Sequence, residues 1–391
     1  MKKVFKVIFH VAILAVFAIL ALSIFIPVYD FDEPVAFHGD VLVNPYQNID
    51  CKYWHKANFH AHTKRYGGFT NGRDSAPVID SVYDFFGFSY AGVSDYMNVN
   101  QSFSNKENFI PSYEHGWGIF KIHQLCLGAH DVRYIDYPFW QTLSMKQHTL
   151  NKLGETSVLA IPAHPDFVDG GYSPSDFKYL SNYRLMEVVN GYCVSDAHWD
   201  SALSNGHLAY IIGDDDTHDV LRSTDVANCF TIINAERLDA ESIIDALVSG
   251  HAYAVDFRLR KGETLDEKKA DMDTTLPWLV EARLSGDTFS VVMSRKAKTI
   301  QFIGQNGRVL ATAEKTNSAS YVVKDSDTYI RTVCSYPDRT DVYLNPVTRQ
   351  TSEDVTLQRL DHINYWKTAI LWSATCVIII VVFVCFLRKR R

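Results

Sequence analysis

No two of the seven cysteines fall in a CxxC spacing, and five of them (Cys51, Cys126, Cys193, Cys229, Cys334) stand singly through the central part of the chain. That scatter excludes a zinc ribbon and a disulfide scaffold and reads as single buried thiols. Long basic stripes are also missing from the centre. With a net charge of −7 over 391 residues, no nucleic-acid partner is expected. Strong internal repeats and low-complexity tracts are absent as well.

Apolar material is abundant and unevenly placed. The 21 Tyr and 23 Phe suit a well-filled core or an aromatic ligand surface. Residues 7–26 form an apolar run broken only by His10 and Ser23, with Lys2, Lys3 and Lys6 before it. A second run, 368–387, ends in Arg388, Lys389, Arg390 and Arg391. Each has about the 20 residues a membrane-crossing helix needs. Basic residues flank the outer end of both, so the positive-inside rule predicts a two-pass protein with cytoplasmic termini and an extracytoplasmic body. A cleaved signal peptide is the competing reading of the first run, with Ala21-Leu22-Ser23 as its cleavage motif.

The expected organisation follows. Residues 1–27 form an N-terminal anchor, 28–51 a linker, 52–257 a catalytic unit, 276–347 a small β domain and 366–387 a C-terminal span. Within the catalytic unit, strand-like runs at 56–59, 88–93, 119–127, 157–161, 185–189, 208–212 and 229–233 alternate with helix-like segments at 77–86, 139–153, 174–180, 196–204 and 240–248. Such alternation predicts a parallel α/β barrel. The charged segment 258–275 reads as a loop. Residues 278–345 show short alternating runs separated by Gly and Asp turns, the pattern of an antiparallel β-sandwich-like unit.

Ligand-type side chains recur just after the apolar runs. His60-Ala61-His62 ends the first, and alternate residues of an extended chain point the same way, so both imidazoles can reach one ion. Ser94-Asp95-Tyr96 follows the second, Ala163-His164-Pro165 the fourth, and Asn190-Gly191 the fifth. Pro165 is expected to hold His164 extended. Asp214, Asp215, Asp216 and His218 crowd the end of the sixth, a costly concentration of charge unless a cation balances it. Glu114 precedes three competing histidines, His115, His123 and His130. A carboxylate there can bridge two cations about 3.5–4 Å apart.

Taken as an ordered set, His60, His62, Glu114, His123, His164, Asp216 and His218 resemble the motif series of the polymerase and histidinol phosphatase (PHP) superfamily. The resemblance covers about residues 53–253. It implies a distorted (β/α)7 barrel, which by the readings above would be followed by the small antiparallel β domain and flanked by the two transmembrane helices. It also implies divalent metal ions (Mn, Zn or Fe) and hydrolysis of phosphoesters or related bonds by a metal-activated hydroxide. Carried over, His60, His62, Glu114 and Asp216 hold one metal and Glu114, His123 and His164 a second, while His218 belongs to a third site. Two departures stand out. Tyr96 occupies a position where the family has His, and Gly67 and Gly68 occupy a region that often carries another ligand. A two-metal centre, or one tight and one loose metal, is therefore expected.

That leaves His218 as a general acid or base and Tyr96 as a hydrogen-bond donor to substrate. Lys64, Arg65 and Arg222 are candidates for binding an anionic substrate. Asp95, Glu187 and Asn190 are candidates to orient metal-bound imidazoles. The expected substrate is a small-molecule or cell-envelope phosphoester. Carbamate, amide or ester hydrolysis on the same site, or a non-catalytic binding module, are the alternatives.

Overall fold

The computed structural model describes the chain except residues 1–3, 6, 12, 14, 15, 17–23, 169, 258–261, 353–356 and 389–391. Two short strands, β1 (Tyr29–Phe31) and β2 (Val41–Val43), arise in the stretch expected as a linker. Next come β3 (Trp54–Asn58), α1 (Ala76–Phe85) and β4 (Tyr90–Ala91). Pro77 sits in the first turn of α1, where its missing N–H costs nothing. The hairpin β5 (Ser112–His115) and β6 (Gln124–Ala129) precedes α2 (Leu143–Gly154), whose Thr142 cap accepts the Met145 N–H.

The barrel region continues with β7 (Ser157–Pro162), β8 (Leu185–Asn190), α3 (Asp196–Ser204), β9 (Tyr210–Asp214), β10 (Cys229–Asn234), α4 (Ala240–Val248) and β11 (Ala252–Phe257). A helix, α5 (Leu265–Thr275), then leads into β12 (Leu279–Ser285), β13 (Thr288–Gly304), β14 (Arg308–Val322), β15 (Tyr329–Ser335) and β16 (Thr340–Gln350). Strand β17 (Asp361–Ile363) pairs antiparallel with β1 before the last helix, α6 (Tyr365–Arg388).

A closed parallel (β/α)7 barrel is not what forms. Ten strands make one sheet that curls into a half-barrel, ordered β12-β13-β15-β16-β11-β10-β3-β4 with β14 on β13 and β2 on β16. In it only β3 and β4 run parallel. Strands β5, β6 and β7 form an antiparallel sheet, and β8 and β9 a parallel pair. Two unanticipated strands explain the difference. Between β5 and β6 lie only residues 116–123, fewer than the dozen or so that a crossover needs, so the pair must turn back on itself. Strand β11 then joins β10 antiparallel on one edge and β16 on the other. The C-terminal β strands are thereby hydrogen-bonded into the same sheet as β3 and β10.

Further expectations are corrected. Part of the supposed loop 258–275 is α5, opened by a reciprocal cap between Thr264 and Glu267. Among the described residues no helix is long and apolar enough to cross a membrane, which overturns the two transmembrane helices and the two-pass, extracytoplasmic placement. Much of the first apolar run lies outside the described residues. The start of the second run is spent on the body: the Thr368 hydroxyl accepts the Val28 N–H at 2.9 Å, and Trp372 Nε1 donates to the Ile26 carbonyl at 3.0 Å. The reasoning that pointed to envelope substrates goes with the membrane placement.

Two large apolar clusters fill the interior. One, around Leu125, Ile161, Val188, Trp199 and Ile211, packs β6–β9 against α2, α3 and α4. The other, around Tyr83, Phe230, Tyr253, Phe289 and Ile300, lies across the main sheet. Arg331 of β15 joins the two halves. Only 3% of its side chain is exposed, and it forks onto Asp200 of α3 at 2.8 Å (Nε–Oδ1) and 2.9 Å (Nη2–Oδ2). Asp196 Oδ1 lies 3.3 Å from its remaining terminal nitrogen. Removing Asp200 leaves the buried guanidinium with Asp196 alone, an incompletely compensated charge. Asp200→Ala should therefore cost about 3–5 kcal/mol in urea unfolding; a loss under about 1 kcal/mol would show that water already screens the pair.

Candidate metal centre

Backbone geometry delivers the side chains to one place. His60 and His62 follow β3, and the His62 N–H donates to the Thr217 carbonyl at 2.9 Å, locking the first motif to the last. Glu114 sits on β5, where its N–H bonds the Ser94 carbonyl at 3.1 Å and its carbonyl accepts the Met97 N–H at 2.8 Å. His123 immediately precedes β6, His164 follows β7, and Asp216 and His218 follow β9. All seven are buried.

Two of them adopt left-handed backbone, with φ of +32° at His164 and +52° at Asp216. Pro165 therefore does not hold His164 extended. Its conformation is held instead by Glu187 Oε2, which accepts the His164 N–H at 2.7 Å. Non-glycine residues in this region carry strain of about 1–3 kcal/mol and cluster at functional sites.

Glu114 organises the centre. Its Oε2 faces His60 Nε2 at 3.5 Å and His62 Nε2 at 3.2 Å. The other oxygen, Oε1, faces His123 Nδ1 at 2.5 Å and His164 Nε2 at 3.2 Å. Asp216 Oδ1 lies 3.3 Å from His60 Nε2 and 3.0 Å from His62 Nε2. Ligand atoms about 2.1 Å from a common ion stand about 3.0–3.4 Å apart in octahedral or tetrahedral shells. The spacings around Oε2 match that geometry. More telling, His60 Nε2, Glu114 Oε2 and His123 Nδ1 are buried and close to opposite partners, yet make no hydrogen bond. Their lone pairs converge instead of pairing, and a buried polar atom is otherwise expected to be satisfied. Two donor groups result, His60, His62, Glu114 and Asp216, and Glu114, His123 and His164. The residues fit divalent cations, with imidazole and carboxylate donors and no thiolate.

Electrostatics agree. Burial pulls the imidazole pKa values down, but Asp216, Glu187 and Glu114 outweigh it at His60 and His164, and Asp216 and Glu114 raise His62 to about 9. Burial pushes Glu114 and Asp216 upward, but the surrounding histidines hold both below the usual carboxylate range. Burial lowers His123 and His218 despite the nearby carboxylates.

Outer contacts separate the remaining expectations. Glu187 Oε1 lies 2.9 Å from His60 Nδ1, the arrangement that orients a metal-bound imidazole. Asp95 instead accepts the Thr63 N–H at 2.7 Å and Asn100 Nδ2 at 2.9 Å, so it shapes the loop after His62 and touches no imidazole. Asn190 turns the next loop by accepting the Tyr192 N–H at 2.9 Å. The Tyr96 ring stacks on His62 at 4.3 Å, and its hydroxyl lies 3.4 Å from His218 Nε2. Arg65 pairs with Asp95 and Asn98, and Arg222 with Asp219, while Lys64 is exposed and forms no ion pair among the described residues. His115 is spent on Gln124 and Ile135, and His130 is exposed, leaving His123 as the histidine brought to Glu114.

The Asp triplet divides its labour. Asp214 ties the Phe59 N–H, and burial beside Glu187 holds its carboxyl well above the carboxylate range. Asp215, pushed up to about 6 by burial, accepts the N–H groups of Ala227, Asn228 and Cys229. Only Asp216 turns to the cluster. Sequence reasoning missed Asp225, whose Oδ2 accepts the His218 and Asp219 N–H groups at 2.8 and 2.6 Å. It also missed Tyr192, whose hydroxyl lies 3.2 Å from His218 Nδ1. Lys268 of α5, fully buried, braces the same loop through the Ser223 and Val226 carbonyls and Asn228 Oδ1.

No family model and no curated protein matches the chain. Among solved structures it is similar to a two-domain protein from Bacteroides vulgatus containing a predicted PHP-like metal-dependent phosphoesterase. The two are 13% identical with a TM-score of 0.42, over 81% of this chain and 100% of that one. A likeness this distant carries no inference about chemistry, which rests on the side chains above.

Cations need neutral imidazoles, whereas the neighbouring carboxylates raise His60 and His164 and bring His62 to about 9, so protons compete with cations for this site. Metal uptake at pH 7 should release protons, and affinity should rise with pH towards about 9. Calorimetry in buffers of different ionisation enthalpy reads this directly; uptake without proton release contradicts it. Glu187→Ala should weaken Mn²⁺ or Zn²⁺ binding about 10–100-fold, and unchanged affinity would remove Glu187 from the site.

Proposed function

We propose that the chain is a metal-dependent phosphoesterase of PHP type, with residues 52–257 supplying the catalytic centre. One observation carries the reading: each oxygen of the buried Glu114 carboxylate faces its own pair of imidazoles. A bridging carboxylate between two donor groups is the arrangement of two-metal hydrolases. Mn, Zn or Fe suits a donor set of imidazole and carboxylate. Such ions, when bound, provide Lewis acidity and a water that ionises near neutral pH.

The chain's own residues supply the rest. His60, His62 and Asp216 present one set of lone pairs, His123 and His164 the other, and Glu114 sets the separation between them. His218 lies outside both sets with its two ring nitrogens near the Tyr192 and Tyr96 hydroxyls. A neutral imidazole has one donor and one acceptor nitrogen, so one phenol donates to it and the other accepts. That arrangement suits a group that takes or returns a proton at the edge of the centre. Lys64, two residues past His62 and without a carboxylate partner among the described residues, is available to meet an anionic substrate. The ion pairs of Arg65 and Arg222 leave them less available.

A panel of phosphate mono- and diesters and carbonyl esters, assayed with added Mn²⁺ or Zn²⁺, tests the reading. Phosphoester turnover should dominate, and His60→Ala and Asp216→Ala should fall to the metal-free level. His218→Asn should lose about 10²–10⁴-fold in kcat while retaining its metal. Full turnover in His60→Ala, or carbonyl esters as the better substrates, would refute the assignment.

A further inference from the structure

The loops that carry the ligands also carry large apolar side chains that solvent reaches. Tyr66 is 56% exposed, Trp117 47%, Val168 92%, Tyr192 48% and Leu221 62%. Their positions along the chain bind them to the centre. Trp117 is three residues past Glu114, and Leu221 three past His218, which limits each Cα to about 11 Å from that residue's. Tyr66 and Val168 are four past His62 and His164, within about 14 Å. Contacts tighten this further. The Tyr66 hydroxyl bonds the Tyr96 carbonyl at 2.9 Å, and that of Tyr192 lies 3.2 Å from His218 Nδ1. Phe167 closes the gap between two loops, its ring 5.3 Å from that of His164 and 5.7 Å from that of Tyr192.

A single exposed apolar residue needs no explanation, but several on the loops around one polar centre do. Ligand pockets combine such apolar walls with a few placed polar groups. Of the nearby cations, Arg65, Arg73 and Arg222 lie beside aspartates, while Lys64 forms no ion pair among the described residues.

Resting on the phosphoesterase reading above, we infer that the substrate is an amphiphilic phosphoester. Its anionic head meets the His and carboxylate cluster, and its apolar body, aryl or alkyl, lies on the rim formed by Tyr66, Trp117, Val168, Tyr192 and Leu221. The rim sets specificity through the apolar area it removes from water.

Phosphonates test this without turnover. Binding of methyl-, phenyl- and octylphosphonate to the Mn²⁺-loaded full chain is measured by calorimetry, below the micelle concentration of the octyl compound. Affinity should rise by about fourfold per buried methylene, so octylphosphonate should exceed methylphosphonate by at least about a hundredfold. The double variant Val168→Ser/Leu221→Ser touches no ligand and replaces exposed side chains. It should keep methylphosphonate affinity and lose about tenfold or more of the octyl preference. Equal affinity for the three probes overturns the amphiphile proposal alone and leaves the phosphoesterase reading standing. So does a preference that survives the double variant. Failure of all three to bind, methylphosphonate included, removes both. A rim that seats a second copy of the chain would show a dimer in light scattering and no dependence on chain length, which also overturns the proposal.

Discussion

A fully buried carboxylate shared among four imidazoles is the constraint on which this structure turns. Glu114 has no access to water, and a lone buried carboxylate is among the most costly groups a protein can hold. Its charge is met from both sides, by His60 and His62 at one oxygen and by His123 and His164 at the other. Those four imidazoles arrive from the ends of β3 and β7 and the start of β6, so the sheets are brought into one arrangement by the group they enclose. Cations at the converging lone pairs would complete that neutralisation.

The surrounding structure holds that arrangement under strain. His164 and Asp216 sit in left-handed backbone, which side chains other than glycine seldom adopt. Glu187 grips both His60 and the His164 backbone, and Asp225 grips the His218 loop. Behind that loop stands Lys268, reaching in from α5, an element that belongs by sequence to the C-terminal half. The main sheet, continuous from β12 to β4, gives this bracing a single rigid body to act through.

Much of the site was legible because its motifs are local. His60 and His62 are one strand step apart, and Asp216 and His218 follow an apolar run directly, so residue type and spacing suffice. Strand direction was not legible. A period of two reads the same in either sense, and β5, only Ser112–His115, offers no apolar run to mark it. Without β5 the runs looked uniformly parallel. Helix α5 has almost no apolar stripe, yet its Thr264 and Glu267 cap lay in plain view as a Thr three residues before a Glu. The apolar ends misled because hydropathy sums residues without knowing that Thr368 and Trp372 are engaged with Val28 and Ile26.

By itself the sequence determined the chemistry on offer: imidazoles and carboxylates in an order suited to cations, with no thiolate set to compete. Which of three adjacent aspartates faces the centre was decided only by tertiary structure. So was which of His115, His123 and His130 meets Glu114, and which way each strand runs. The physical reason is that ligand identity is a property of residues, whereas burial, direction and shared charge are properties of groups distant along the chain that come within about 3 Å only after packing.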